Sequence, residues 1–280
     1  MPGSVFALML LGAVLSATWN ALVKGGANKY VQTVLIADCG ALVALCAIPF
    51  LHLPEARCWI YLLLSALLQV IYYKYLAEAF HAGDMSHAYP IMRGTAPLLV
   101  ALMNGPLIGD ALSFGKWLGV FLIGMGVVGL AWEARYRWSE HRALIVHSLL
   151  SACLIAGYTT CDGIGVRASG SAASYAMWNL LVAGIMVTAW TLATRRDELL
   201  SFARHGIASG LVGGMATVVA YGIILWAMTQ APVPAVAALR ETSMVFVLLI
   251  AAFIFKERVG LRRCAATALI TCGAVAIRLA

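Results

Sequence analysis

A chain of 280 residues that is 62% hydrophobic and only 11% charged carries more apolar material than a single soluble core can use; ordinary globular chains sit near about 45–50% and about 25%. In a soluble protein a net charge of +7 would suggest a nucleic-acid partner. Here the basic residues gather between apolar runs, so their placement accounts for the charge and no nucleic-acid partner is expected.

A bilayer core about 30 Å thick calls for about 20 apolar residues per helix. Ten such runs follow one another: 4–23, 31–51, 57–80, 85–104, 113–133, 142–161, 173–193, 205–229, 233–254 and 262–279. The first has no basic leader, and its exit, "TWNALVKGG", is unlike a small-residue cleavage site, so it reads as a retained helix. The breaks leave no room for a soluble domain. The expected class is an all-α integral membrane protein with ten transmembrane helices embedded in the lipid bilayer. Seven cysteines (39, 46, 58, 153, 161, 264, 272) lie in or beside the runs without a CxxC and read as buried free thiols. No HExxH, GxSxG or metal-spaced Cys/His cluster occurs, so neither an enzyme nor a metal or other cofactor is expected.

Lys and Arg are distributed unevenly. The odd-numbered connections hold Lys24 and Lys29; Arg135, Arg137 and Arg142; Arg195, Arg196 and Arg204; and Lys256, Arg258, Arg262 and Arg263. Around the even-numbered ones stand only Arg57, Lys116 and Arg167. With the positive side cytoplasmic, both termini face outward.

The chain also repeats itself. Arg93, Asp110 and Gly126 in the first half recur as Arg240, Glu257 and Gly273 in the second, all at an offset of 147 residues. "LLGAVLSATWNA" is echoed by "LLSACLIAGYTT", which sets Trp19 and Asn20 opposite Tyr158 and Thr159. Each unit, 1–137 and 138–280, then holds five helices, and an odd number forces the two into opposite orientations. Secondary transporters are built from such inverted repeats, with sites near the midplane where the repeats meet.

The two-times-five pattern resembles the EamA-type transporters of the drug/metabolite transporter superfamily. So do "SATWNALVK", "GDMSHAYPIMRGTAP" and "ALRETSMVFVLLIAAFIFKERVGLRRCAATALITCGA". The resemblance spans essentially the whole chain. It implies a multi-pass carrier in the bacterial inner membrane that moves a small metabolite, often as an exporter. It also implies two inverted five-helix repeats around a central cavity, with the fifth and tenth helices peripheral. The substrate class expected is a small polar metabolite such as an amino acid or an organic anion, moved by alternating access. The alternatives are a lipid-carrier flippase and a non-transporting membrane subunit.

Within that frame Arg93 and Arg240 are the leading substrate-binding candidates. An arginine at the centre of a span costs roughly 2.5–3.5 kcal/mol on insertion scales, and guanidinium groups suit carboxylate and phosphate. The competing reading ties each to an acid, Glu241 or Glu78; Arg240 and Glu241, adjacent on one helix, are not expected to pair directly. Lys74 and Glu78 stand at i, i+4 and are expected to neutralise each other, the alternative being that Glu78 exchanges a proton and couples transport to it. Tyr221 occupies the repeat position of Lys74, which breaks the symmetry chemically. Tyr89 lies one turn before Arg93, beside Pro90. Trp19, Asn20 and Tyr158 complete the expected lining. Trp178, Asn179 and Trp226 are given less weight, Asp38 and Asp162 have no evident partner, and His81 and His87 are expected to be solvated. Gly115, Gly119, Gly124, Gly126 and Gly129 allow close helix contacts, within the chain or between copies.

Overall fold

The computed structural model describes residues 1–25, 28–82, 85–131, 142–253 and 260–280, without the side chains of 24, 25, 80, 85–87, 131, 200–205 and 251. Arg135, Arg137, Lys256, Glu257 and Arg258 lie outside the described residues, as does the expected boundary between 137 and 138. Every described element is helical: α1 Gly3–Gly25, α2 Lys29–Ala47, α3 Trp59–Ala82, α4 Met85–Ile108, α5 Phe114–Ala131, α6 Arg142–Ala168, α7 Ala172–Gln230, α8 Val233–Arg240, α9 Ser243–Phe253 and α10 Leu261–Leu279, with short 3-10 turns at Ile48–Phe50 and Ala56–Cys58.

Among the described residues, eight stretches are long and apolar enough to cross a membrane, and Phe114–Leu130 is a shorter apolar helix. The protein is therefore a multi-pass, all-helical membrane protein. The tenth expected span, α10, is not among the eight: Arg262, Arg263 and Arg278 fall within its 19 residues. Large apolar side chains point outward, Leu42, Ile60, Leu102, Phe121 and Ile185 among them, as suits a surface solvated by lipid tails. The cysteines correct one expectation. All seven are free, but only Cys39 and Cys58 are buried, while Cys46, Cys153, Cys264 and Cys272 are exposed. A thiol facing lipid has no need of the protein interior.

Two breaks shape the site. The seventh and eighth runs form one helical element whose backbone breaks at Arg195 (φ −145°, ψ 40°). Both arms pack on α2: Gly184 in the first against Ala41, and Gly210, Gly213 and Gly214 in the second against Leu35, Ile36 and Gly40. The ninth run divides into α8 and α9 at a turn over Glu241 and Thr242. In α4, Pro90, Pro97 and Pro106 each remove a backbone donor. Gly109 and Gly170 take positive φ (76° and 74°) just beyond α4 and α6, a conformation glycine adopts at least cost.

α5 and α10 run together at the edge. A methyl group on Gly119 would lie 2.7 Å from the Gly273 carbonyl oxygen, and one on Gly126 would lie 2.7 Å from that of Ala266. These glycines thus serve contacts within the chain. Overpacking typically costs about 1–3 kcal/mol, so Gly273→Leu is expected to lower stability in detergent unfolding by at least that amount. Gly222→Ala is the control. No atom lies within 4 Å of the added carbon there, and relief of helix entropy favours the variant by about 0.5–1 kcal/mol. Equal stabilities for the two variants would contradict the close α5–α10 seam.

Candidate functional site

α1, α2, α3, α4, α6, both arms of α7 and α8 enclose a cavity of about 160 Å³. Its polar surface comes from every side. α3 contributes Gln69, Tyr72 and Tyr73; α4 contributes Tyr89 and Arg93; α6 contributes Tyr158; α7 contributes Thr217 and Tyr221; α8 ends in it with Arg240; and Trp19 enters from α1. Among the described residues, none from α5 or α10 lines it.

The electrostatic centre is a group of three charges. Glu241 is fully buried (0% exposed), and Arg93 and Arg240 are nearly so, at 7% and 8%. Arg93 Nε lies 2.9 Å from Glu241 Oε2, and Arg240 Nε 3.5 Å from Oε1. The direct Arg240–Glu241 contact corrects the expectation that adjacent residues point apart. That rule holds for a continuous helix, whereas α8 ends at Arg240 and the turn carries the Glu241 carboxylate back toward both guanidiniums. One carboxylate thus serves two cations, leaving one positive charge over. Neither Nε makes a well-aligned hydrogen bond among the described residues, so these contacts are charge pairs with donor capacity left unspent.

Aromatic side chains frame the cluster. The Arg93 guanidinium sits 5.7 Å from the centre of the Tyr89 ring, within reach of a cation–π attraction. The Tyr89 hydroxyl donates to Asn20 Oδ1 at 2.7 Å, while Asn20 Nδ2 donates to the Ser16 carbonyl, also at 2.7 Å. Asn20 is therefore a buried support for Tyr89, set behind the lining. Tyr158 meets Tyr72 edge-on at 6.1 Å.

The structure places the other expected residues elsewhere. Lys74 and Glu78 are exposed and outside the lining. Lys74 lies 5.7 Å from the centre of the Tyr75 ring, and no ion pair joins it to Glu78 among the described residues. This corrects the expected mutual neutralisation: side chains on the outer face of α3 are not forced together by burial. The face of α3 that lines the cavity is Gln69, Tyr72 and Tyr73, an i, i+3, i+4 stripe legible in "QVIYY" beside the more conspicuous charged pair. His81 is exposed, with Nε2 3.0 Å from Arg195 Nη2, and the side chain of His87 lies outside the described residues. Asp38 accepts a hydrogen bond from Thr188. Asp162 is also partnered, by Tyr175, Asn179 and Tyr221. Both acids correct the expectation of no partner, because their donors come from α7, remote in sequence. Among the described residues no group of three His, Cys, Asp or Glu side chains comes together as a metal site would require.

One end of the bundle is bolted. Asp110, in the turn after α4, takes two parallel bonds of 3.0 Å from Arg167 at the end of α6 and a third, at 2.9 Å, from the Val233 N–H that opens α8. Arg167 also donates to the carbonyls of Met228 and Ala231. From Val233 to Arg240 is seven residues, about 10 Å along a helix, so the bolt stands that far from the charge cluster.

A helical membrane bundle with a polar, net-cationic cavity between its spans has the anatomy of a membrane transporter. The comparisons agree. Residues 143–279 match the EamA-like transporter family, which is consistent with an EamA-type transporter of the drug/metabolite transporter superfamily. A solved crystal structure superposes with a TM-score of 0.78 at 16% identity, covering 100% of this chain and 98% of its own; at that identity the likeness is one of fold. No curated protein matches the sequence.

Proposed function

We propose that the protein is a secondary-active carrier that moves a small anionic or zwitterionic metabolite by alternating access, in the export direction that the family resemblance implies. The observation that carries this reading is the imbalance at the cavity: Arg93 and Arg240 share the single carboxylate of Glu241. A carboxylate or phosphate group on the substrate would take up the surplus charge and the unspent guanidinium donors. Tyr89, Trp19, Tyr158 and Tyr221 supply an aromatic wall against which an organic body packs. Other carriers place their sites in the same way, near midspan and formed by interrupted helices.

The reading includes two inverted repeats, 1–137 and 138–280, and the α5–α10 seam supports them. Shifted by 147 residues, the contact of Gly119 with Gly273 becomes that of Ala266 with Gly126. Likewise the contact of Gly273 with Ile123 becomes that of Gly126 with Ile270, and both contacts are present. The same shift carries Arg93 onto Arg240 and Gly94 onto Glu241. The symmetry therefore fails at the acid. Gly94 packs against Val128 and the Gly124 carbonyl, so only one of the two halves supplies a carboxylate.

A thermal-shift screen of the purified protein against amino acids, organic acids, sugar phosphates and cationic drugs tests the substrate class. A compound present at 100 times its dissociation constant stabilises the folded state by about 2.7 kcal/mol. Stabilisation by anions or zwitterions, followed by saturable counterflow of the same compound in proteoliposomes, is the expected result. Stabilisation by cations or lipids alone would end this reading.

A further inference from the structure

Asp162 is a second acid sunk in the bundle, and the arginine cluster does not use it. It is 1% exposed and lies six residues, about 9 Å, inside the end of α6. Its Oδ1 accepts hydrogen bonds from Asn179 Nδ2 (3.2 Å) and the Tyr175 hydroxyl (3.3 Å), and its Oδ2 accepts one from the Tyr221 hydroxyl at 2.7 Å. Each of these donors is neutral. The titratable and charged groups that face it are Tyr175 and Tyr221 from α7, Cys161 beside it on α6, and Arg240 from α8, whose charge reaches it without contact. From α3 the uncharged Ser65 hydroxyl approaches it, and Gln69 donates to that hydroxyl at 3.1 Å. Asp162 forms no ion pair among the described residues.

Two of its connections lead to the cavity. Tyr221 lines it, and so does Gln69, which donates at 3.1 Å to Asn179, the amide that in turn donates to Asp162. A carboxylate this deep in a bilayer needs a cation beside it or a proton on it, and here no cation is in contact. We propose that Asp162 is a proton-binding site of the carrier, and that Tyr221 carries its protonation state into the cavity. The proton site stands on the geometry of Asp162 alone; its consequence for substrate rests on the carrier reading above.

The chemistry is a simple exchange of donors. With Asp162 ionised, the single Tyr221 hydroxyl hydrogen is held by Oδ2, and Tyr221 shows the cavity only oxygen lone pairs. A hydronium ion in the cavity gives its proton to Oδ2 and leaves as water, and the carboxylate charge goes from −1 to 0. The Tyr221 O–H is then free to turn toward the cavity as a donor. A protonated carrier thus offers an anion one more hydrogen bond, on the side of the cavity served by Tyr221.

Infrared difference spectra of the full-length protein in lipid, recorded while the pH is stepped, read this directly and need no substrate. The expected result is a carboxylic-acid carbonyl band that appears and disappears reversibly with pH. Asp162→Asn should abolish it, Asp38→Asn should leave it in place, and Tyr221→Phe should move its frequency because the bonded phenol is gone. Absence of a titrating band in the unaltered protein, or its survival in Asp162→Asn, overturns the proposal. If Asp162→Asn does not fold, Tyr221→Phe decides, and an unmoved band overturns it. Failure here leaves the carrier reading standing, and an empty ligand screen leaves the proton site standing.

Discussion

Replacing Glu241 by glutamine is expected to cost about 3–5 kcal/mol of stability, the range for removing one partner of a buried ion pair. The effect belongs at the upper end of that range. Glu241 is fully buried, and it is the one acid within ion-pair distance of Arg93 and Arg240 among the described residues. Glutamine keeps the shape and one acceptor oxygen but leaves two guanidinium charges facing each other in the bilayer interior. Replacing Arg93 as well, in Arg93→Gln/Glu241→Gln, should restore part of the loss, since one unpaired cation costs less than two. Reversible unfolding in mixed micelles measures both variants, and the double-mutant comparison isolates the coupling. A loss below about 1 kcal/mol for the single variant, the range of exposed pairs, would mean that water already screens the cluster.

The helices were legible because lipid imposes a severe rule. A span must be about 20 apolar residues long, and each of the ten runs lies within described helix for most of its length. The arginines were legible for the same reason, as charges that the rule forbids without a purpose. What the sequence could not display was the direction of side chains near a break. "LRETSM" reads as uninterrupted helix, yet the turn over Glu241 and Thr242 decides that one carboxylate meets two cations. The acid Asp162 was likewise visible, but its donors Tyr175 and Tyr221 lie 13 and 59 residues away on the two arms of α7. Tyr72 and Tyr73, which line the cavity, stand beside a more conspicuous sequence feature. A charge pair draws attention in an apolar run, while the exposed side of α3 can hold Lys74 and Glu78 at little cost because long polar side chains near a helix end reach out of the hydrocarbon.

Arg240→Gln is expected to separate binding from folding in a way that Glu241→Gln cannot. Arg93 is the closer partner of Glu241, at 2.9 Å against 3.5 Å, so removing Arg240 leaves a balanced pair of one cation and one anion. The fold should therefore tolerate the change better than the loss of the acid. Binding should not tolerate it, because the surplus positive charge in the cavity disappears with Arg240. A hydrogen bond to a charged group is worth about 1.5–3 kcal/mol, and each 1.4 kcal/mol is tenfold in affinity. The expected loss in apparent affinity for an anionic substrate is therefore about tenfold to a hundredfold. Arg240→Lys keeps the charge but not the planar fork, and should fall between the two. Counterflow in proteoliposomes reads the affinity, and unfolding of the same preparations reads the fold. If Arg240→Gln unfolds as readily as Glu241→Gln, Arg240 is a structural partner of the acid. If it folds and transports unchanged, the substrate does not touch it, and the surplus charge has to be explained by a group on the far side of the cavity.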